Sequence, residues 1–122
     1  MRSGRAVSYT HLCGANSYEQ KYYFNQDFDS LPESVKRELQ VMCVLYTEDV
    51  GGILTLEFEP DGNLEFKVTA PEEDYLFDEI GSVLKIKQYQ EEKRELLESL
   101  ELYYRAFFLG EDVDFTAEAQ EV

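Results

Sequence analysis

Few side chains in this sequence could act as acid, base or nucleophile near neutral pH. The chain has one histidine, His11, and two cysteines, Cys13 and Cys43. Nucleophile–base catalysis needs a base whose pKa lies near the working pH, and histidine is the usual supplier. His11 sits in an N-terminal stretch that differs in composition from the rest, so no catalytic residue is expected. Cys43 falls on the apolar side of a predicted helix, where thiols are mostly inert core groups. Cys13 has no accompanying partner, and two cysteines make no disulfide framework.

The carboxylates are the next resource. Glu72, Glu73, Asp74, Asp78 and Glu79 could offer oxygen ligands to calcium or magnesium. They lack the alternating ligands and central glycine of a calcium loop. Asp61-Gly62-Asn63 reads as a turn before it reads as a ligand set. Glu91, Glu92, Glu95 and Glu98 resemble a carboxylate helix, but the Glu-x-x-His of diiron bundles is missing. No Cys/His spacing suits zinc. Gly51-Gly52 follows a predicted helix rather than a strand and lacks the Walker lysine. The expectation is therefore no metal, no cofactor and no enzyme. A carboxylate-only metal protein or enzyme is the third reading.

The aromatic residues are the remaining resource. Nine Tyr and eight Phe stand in 122 residues. Adjacent pairs such as Tyr103-Tyr104 and Phe107-Phe108 point to more than one side of a helix. With Tyr22 and Tyr23 they make six aromatics that are candidates for an exposed interaction surface, against the alternative of an aromatic core. The partner would be a second copy of the chain or another protein.

The net charge is −15, from 11 basic and 26 acidic residues. A phosphate backbone and an anionic membrane surface would both be repelled, so neither nucleic acid nor membrane is an expected partner. The acidity serves solubility. It also admits a second functional reading, an acidic decoy or regulator that binds a basic protein. No apolar run is long enough to span a bilayer, and the first residues lack a secretory signal. A reducing cytoplasm is the expected setting.

These residues must be positioned by a small number of elements. Leu54, Leu56 and Phe58 alternate with Thr55, Glu57 and Glu59. Leu64, Phe66 and Val68 alternate with Glu65, Lys67 and Thr69. This period-two pattern, broken by Pro60-Asp61-Gly62-Asn63, predicts a β-hairpin within 51–70. Val35, Leu39, Met42, Cys43 and Tyr46 recur at helical spacing and predict a helix from Pro32 to Tyr46. In Gly14–Asn25, Ser17 and Gln20 have the spacing of a capping box and predict a short helix. The Tyr22-Tyr23-Phe24 run suits a strand as well, so a third strand could come from Lys21–Asn25.

After Pro71, Leu76, Ile80, Val83 and Leu84 form a predicted apolar helix face, with Gly81 a weak point in it. Apolar spacing resumes from Leu96 to Phe107, with Glu101 and Arg105 set for an i,i+4 pair. Either one long helix crosses the polar stretch 87–95 or two helices meet near Ile86–Gln90, and the second is expected. Gly110 suits a C-cap. The acidic tail 111–122 is expected to be disordered.

Residues 1–12 contain no acid and the only histidine. Val7–Leu12 resembles the translation of a transposase end sequence used as a sequencing adapter, GTC TCT TAT ACA CAT CT. On that reading residues 1–12 are a non-native leader, with the domain at 13–110. From Cys13 to Glu111 the chain resembles a family of small proteins from gut clostridia, of the Lachnospiraceae type, known only as a domain of unknown function. Ser17–Asn25, Met42–Phe58, Asp74–Ser82 and Leu102–Glu111 carry the resemblance. It implies a bacterial cytoplasmic protein and carries over no functional residue.

The expected fold is a small single α+β domain. A short helix, a helix and a β-hairpin are followed by one bent or two consecutive C-terminal helices packed on the hairpin. The leading functional reading is a non-enzymatic protein-interaction module.

Overall fold

The structure, a computed structural model, describes residues 9–111. The strands are β1 (Thr10–Asn16), β2 (Lys21–Phe24), β3 (Ile53–Phe58) and β4 (Leu64–Thr69). The helices are α1 (Glu33–Val50), α2 (Glu79–Glu92) and α3 (Arg94–Phe107), with a 3-10 turn at Gln26–Phe28. The strands form one antiparallel sheet in the order β2-β1-β3-β4. The fold is α+β, with both C-terminal helices following the last strand.

The hairpin forms as its alternation requires. Leu54, Leu56 and Phe58 lie opposite Val68, Phe66 and Leu64 on the face that meets the helices. All three β3 residues are fully buried. Gly62 takes φ +101°, a conformation that disfavours any side chain, and its N–H reaches the Glu59 carbonyl at 2.8 Å. The tip is clamped by α3. Arg105 donates to the Asn63 side chain at 2.8 Å, and Glu101 accepts from the Leu64 N–H at 2.7 Å. These two residues, expected to pair along their own helix, instead satisfy backbone and side-chain groups of the turn.

The short helix expected in Gly14–Asn25 is not formed. That stretch is the end of β1, a turn, and β2. Ser17 caps nothing; the Asn16 side chain accepts from the N–H groups of Tyr18 and Glu19 instead. This Asx-type turn competes directly with a helical start. Gln20 closes it at φ +54°. The alternative third strand from Lys21 is present as β2.

The domain boundary expected at Leu12 falls inside β1. His11 lies opposite Glu57 and Cys13 opposite Leu56, so Leu12 is the extra residue of a β-bulge, and it is fully buried. The expected acidic tail lies outside the described residues except for Glu111.

α1 runs four residues past Tyr46, because Thr47 and Val50 continue its buried side before Gly51 ends it. The C-terminal helices break at Lys93 rather than near Ile86–Gln90. Tyr89 is buried and holds α2 helical through the polar stretch. Phe28, Phe58, Tyr104 and Phe108 stack in series under the sheet, the closest pair being Phe58 and Tyr104 at 4.2 Å between centroids. No helix of the described residues is long and apolar enough to cross a membrane.

Candidate interaction surface

The six aromatics singled out in the sequence do not form one surface. Tyr104 is buried, stacked on Phe58, with its hydroxyl 2.9 Å from Thr10 Oγ1. Phe108 is half-buried and stacks on Phe28 at 4.6 Å. Tyr103 is half-buried, with its hydroxyl 2.8 Å from Ser30 Oγ. Phe107 is exposed and leans on Tyr103 at 4.9 Å. Tyr22 and Tyr23 lie on opposite faces of β2. Tyr23 is exposed and donates to Glu19. Tyr22 turns inward toward the cysteines, and its buried hydroxyl has no hydrogen-bond partner among the described residues. Burial, then the neighbouring Cys13 thiol, pushes the Tyr22 phenol up from its ordinary value.

The two cysteines meet in the core. Cys13 Sγ of β1 and Cys43 Sγ of α1 are 3.9 Å apart and both side chains are buried. The contact with Cys13, then burial, pushes the Cys43 thiol up, the opposite of an activated nucleophile. His11 is on the other side of the sheet. Its Nε2 is 2.8 Å from Glu57, a buried carboxylate that also lies 3.6 Å from Lys67 Nζ. Histidine and thiols are thus separated by the sheet, and no nucleophile–base pair is assembled among the described residues. Nor do three or more His, Cys, Asp or Glu side chains converge there in a manner able to hold a metal ion.

The distinctive surface is on α2. The apolar side expected to be covered points outward. Ile80 is 77% exposed, Val83 57% and Leu84 62%. Their i, i+3 and i+4 spacing puts them on one stripe. Just upstream, Tyr75 and Leu76 are 92% and 93% exposed. The inward side of α2 carries a single aliphatic residue against the core, the half-buried Ile86, and is otherwise polar or aromatic. The Ser82 and Tyr46 hydroxyls are hydrogen-bonded in the interior, Lys85 pairs with Asp49 at 2.8 Å, and Tyr89 enters the core.

The segment that carries Tyr75 and Leu76 is pinned at several points. The Phe77 ring covers Gly51 and Gly52, and Asp78 N–H reaches the Val50 carbonyl at 3.1 Å. Asp78 also caps α2 by accepting from Gly81 N–H at 2.8 Å. Tyr18 donates to Asp74, and this hydrogen bond is the main cause of its phenol being pushed up to about 12. A cleft of about 660 Å³ runs alongside, lined by Val68, Thr69, Glu72, Phe77, Glu79 and Val83 among others. Exposed Glu72, Glu73 and Glu79 border the apolar residues, and none of the three is ion-paired among the described residues.

Sequence reasoning found Leu76, Ile80, Val83 and Leu84 as an apolar helix face, with the C-terminal helices packed on the hairpin, and did not single out Tyr75. Hydrophobic spacing marks a stripe and does not say which way the stripe faces. The acidic run from Glu72 to Glu79 was the available signal, because an apolar stripe set in unpaired carboxylates is hard to bury.

A family model described as "Family of unknown function (DUF6145)" matches residues 9–112, and the chain belongs to that family. No curated protein and no solved structure gives a match.

Proposed function

We propose that this member of a family of unknown function is a non-enzymatic protein-interaction module, and that it docks a partner on the outer face of α2 and the adjoining Tyr75-Leu76 segment. One observation carries the reading: five large apolar side chains stand more than half exposed within ten residues, on a segment held by specific contacts. Contiguous exposed apolar surface of this kind marks interaction sites in folded proteins. The exposed Phe107 is a separate and smaller feature. A cytoplasmic setting belongs to the same reading, since two buried thiols 3.9 Å apart suit a reducing compartment.

Site-directed photo-crosslinking in cells tests it. A photoreactive side chain at Val83 should capture a protein that one at Glu98, an exposed position of α3, does not. Ile80→Asp with Leu84→Asp should abolish that capture. Equal yields at both positions, or capture indifferent to the double substitution, would count against the docking face.

A further inference from the structure

We infer that the partner segment docked on α2 is cationic and amphipathic, with apolar residues for the stripe and Lys or Arg for its border, and is not a second copy of this chain. The inference rests on the docking reading above and adds the chemistry of the partner.

The border decides between the two occupants. Glu72, Glu73 and Glu79 are exposed and lack ion-pair partners among the described residues, and Asp78 adds a fourth carboxylate at the helix start. On the basic side, Lys85 is already tied to Asp49 at 2.8 Å. Lys87, one turn beyond Val83 and Leu84, is the remaining cation on this part of α2, and Glu91 follows it.

An isologous contact through the stripe would set this acidic border against its own copy. Like charges brought together across an interface repel, and the chain's net charge of −15 adds repulsion at longer range. A cationic segment meets the opposite situation. The carboxylates steer it in, and the apolar side chains supply the contact that outlasts encounter. Tyr75 and Leu76 lie directly after Glu72, Glu73 and Asp74, so apolar and acidic groups are interleaved, as an amphipathic ligand requires.

The probe is a synthetic helical peptide of roughly 18 residues with leucines on one face and lysines on the other. Its comparator carries glutamates in place of the lysines. Binding to the full chain is followed by fluorescence anisotropy between about 50 and 300 mM salt. The lysine peptide should bind, weaken as salt rises, and bind about tenfold more weakly to Ile80→Asp/Leu84→Asp. The triple variant Glu72→Lys/Glu73→Lys/Glu79→Lys should weaken it by a similar factor. Asp27→Lys/Glu95→Lys/Glu98→Lys, three exposed positions off α2, changes the net charge by the same amount and should leave binding within about twofold of wild type.

Equal loss in both triple variants would show attraction to net charge alone and overturn the inference. Equal binding of both peptides, lost on Ile80→Asp/Leu84→Asp, would overturn the cationic partner while leaving the docking face standing. No peptide binding, together with a wild-type dimer that Ile80→Asp/Leu84→Asp dissociates in sedimentation, would identify a second copy and overturn it as well. No binding and no dimer, with crosslinking at Val83 also negative, would remove the docking reading itself.

Discussion

α2 and α3 follow one another in the chain, are each 14 residues long and meet at Lys93. Both carry apolar residues at helical spacing. α3 turns Leu97, Leu100 and Tyr104 inward and completes the aromatic stack with Phe28 and Phe58. α2 buries only Ser82 and Tyr89 and leaves Ile80, Val83 and Leu84 in water. A helix free to choose would rotate such side chains inward, since burial gains about 25 cal/mol per Å² of apolar surface. What holds α2 in the opposite sense is specific: the Tyr46–Ser82 hydroxyl contact, the Lys85–Asp49 pair and the Asp78 cap. One helix turns its apolar side into the fold, and the other leaves it exposed.

The sharpest way to break this contrast is to remove an aromatic from the packed side. Phe58 is fully buried between Phe28 and Tyr104. Phe58→Ala should cost about 3–5 kcal/mol, read as a lower urea midpoint with an unchanged slope. A loss below about 1 kcal/mol would mean that the stack is not the core.

Gly52 joins the two regions. It takes φ +77°, and a Cβ there would stand 2.8 Å from the Phe77 ring. Gly52→Ala should cost about 1–3 kcal/mol and loosen the segment bearing Tyr75 and Leu76. Faster amide exchange at Leu76 and Asp78, with the core amides still protected, is the expected record. Asp78→Ala removes the cap of α2 and should cost about 1 kcal/mol. Thermal melting would register it, and an unchanged melt would mean that the cap does not hold the helix.

Alkaline pH should act first on the packed side. Contact with Cys13, then burial, raises the Cys43 thiol, and burial raises the Tyr22 and Tyr46 phenols. In the unfolded chain these groups ionise near 9.0 and 10.0. The folded chain keeps its protons there, so the stability they contribute is complete below the unfolded values and is lost as pH rises beyond them. Melting temperature should be flat up to about pH 8.5 and fall above about pH 9. Cys43→Ala should move the onset toward the tyrosine range. A melting temperature that rises over this interval would reverse the sign and contradict the burial.

Some of the fold was plain in the residues. The hairpin declared itself through alternation around Asp61-Gly62, and α1 through Val35, Leu39, Met42 and Tyr46. β1 did not. Its bulge at Leu12 interrupts the period-two pattern, Gly14 blanks one position, and the acid-free composition of residues 1–12 reads as a leader. Ser17 and Gln20 mimic a helix start at a place where Asn16 builds a turn. The break between the last helices was displaced to Lys93 by Tyr89, whose burial depends on α1 being adjacent. The site was the least legible part. Tyr104 and Phe107 look alike in sequence, yet one packs in the core and the other is exposed. The outward rotation of α2 is set by tertiary partners that no local pattern encodes.

Urea unfolding of Ile80→Asp/Leu84→Asp tests the central claim most directly. If the stripe faces water in the folded monomer, two added carboxylates should leave stability within about 0.5 kcal/mol of wild type. A cooperative loss of several kcal/mol would put these side chains in a core and contradict the account.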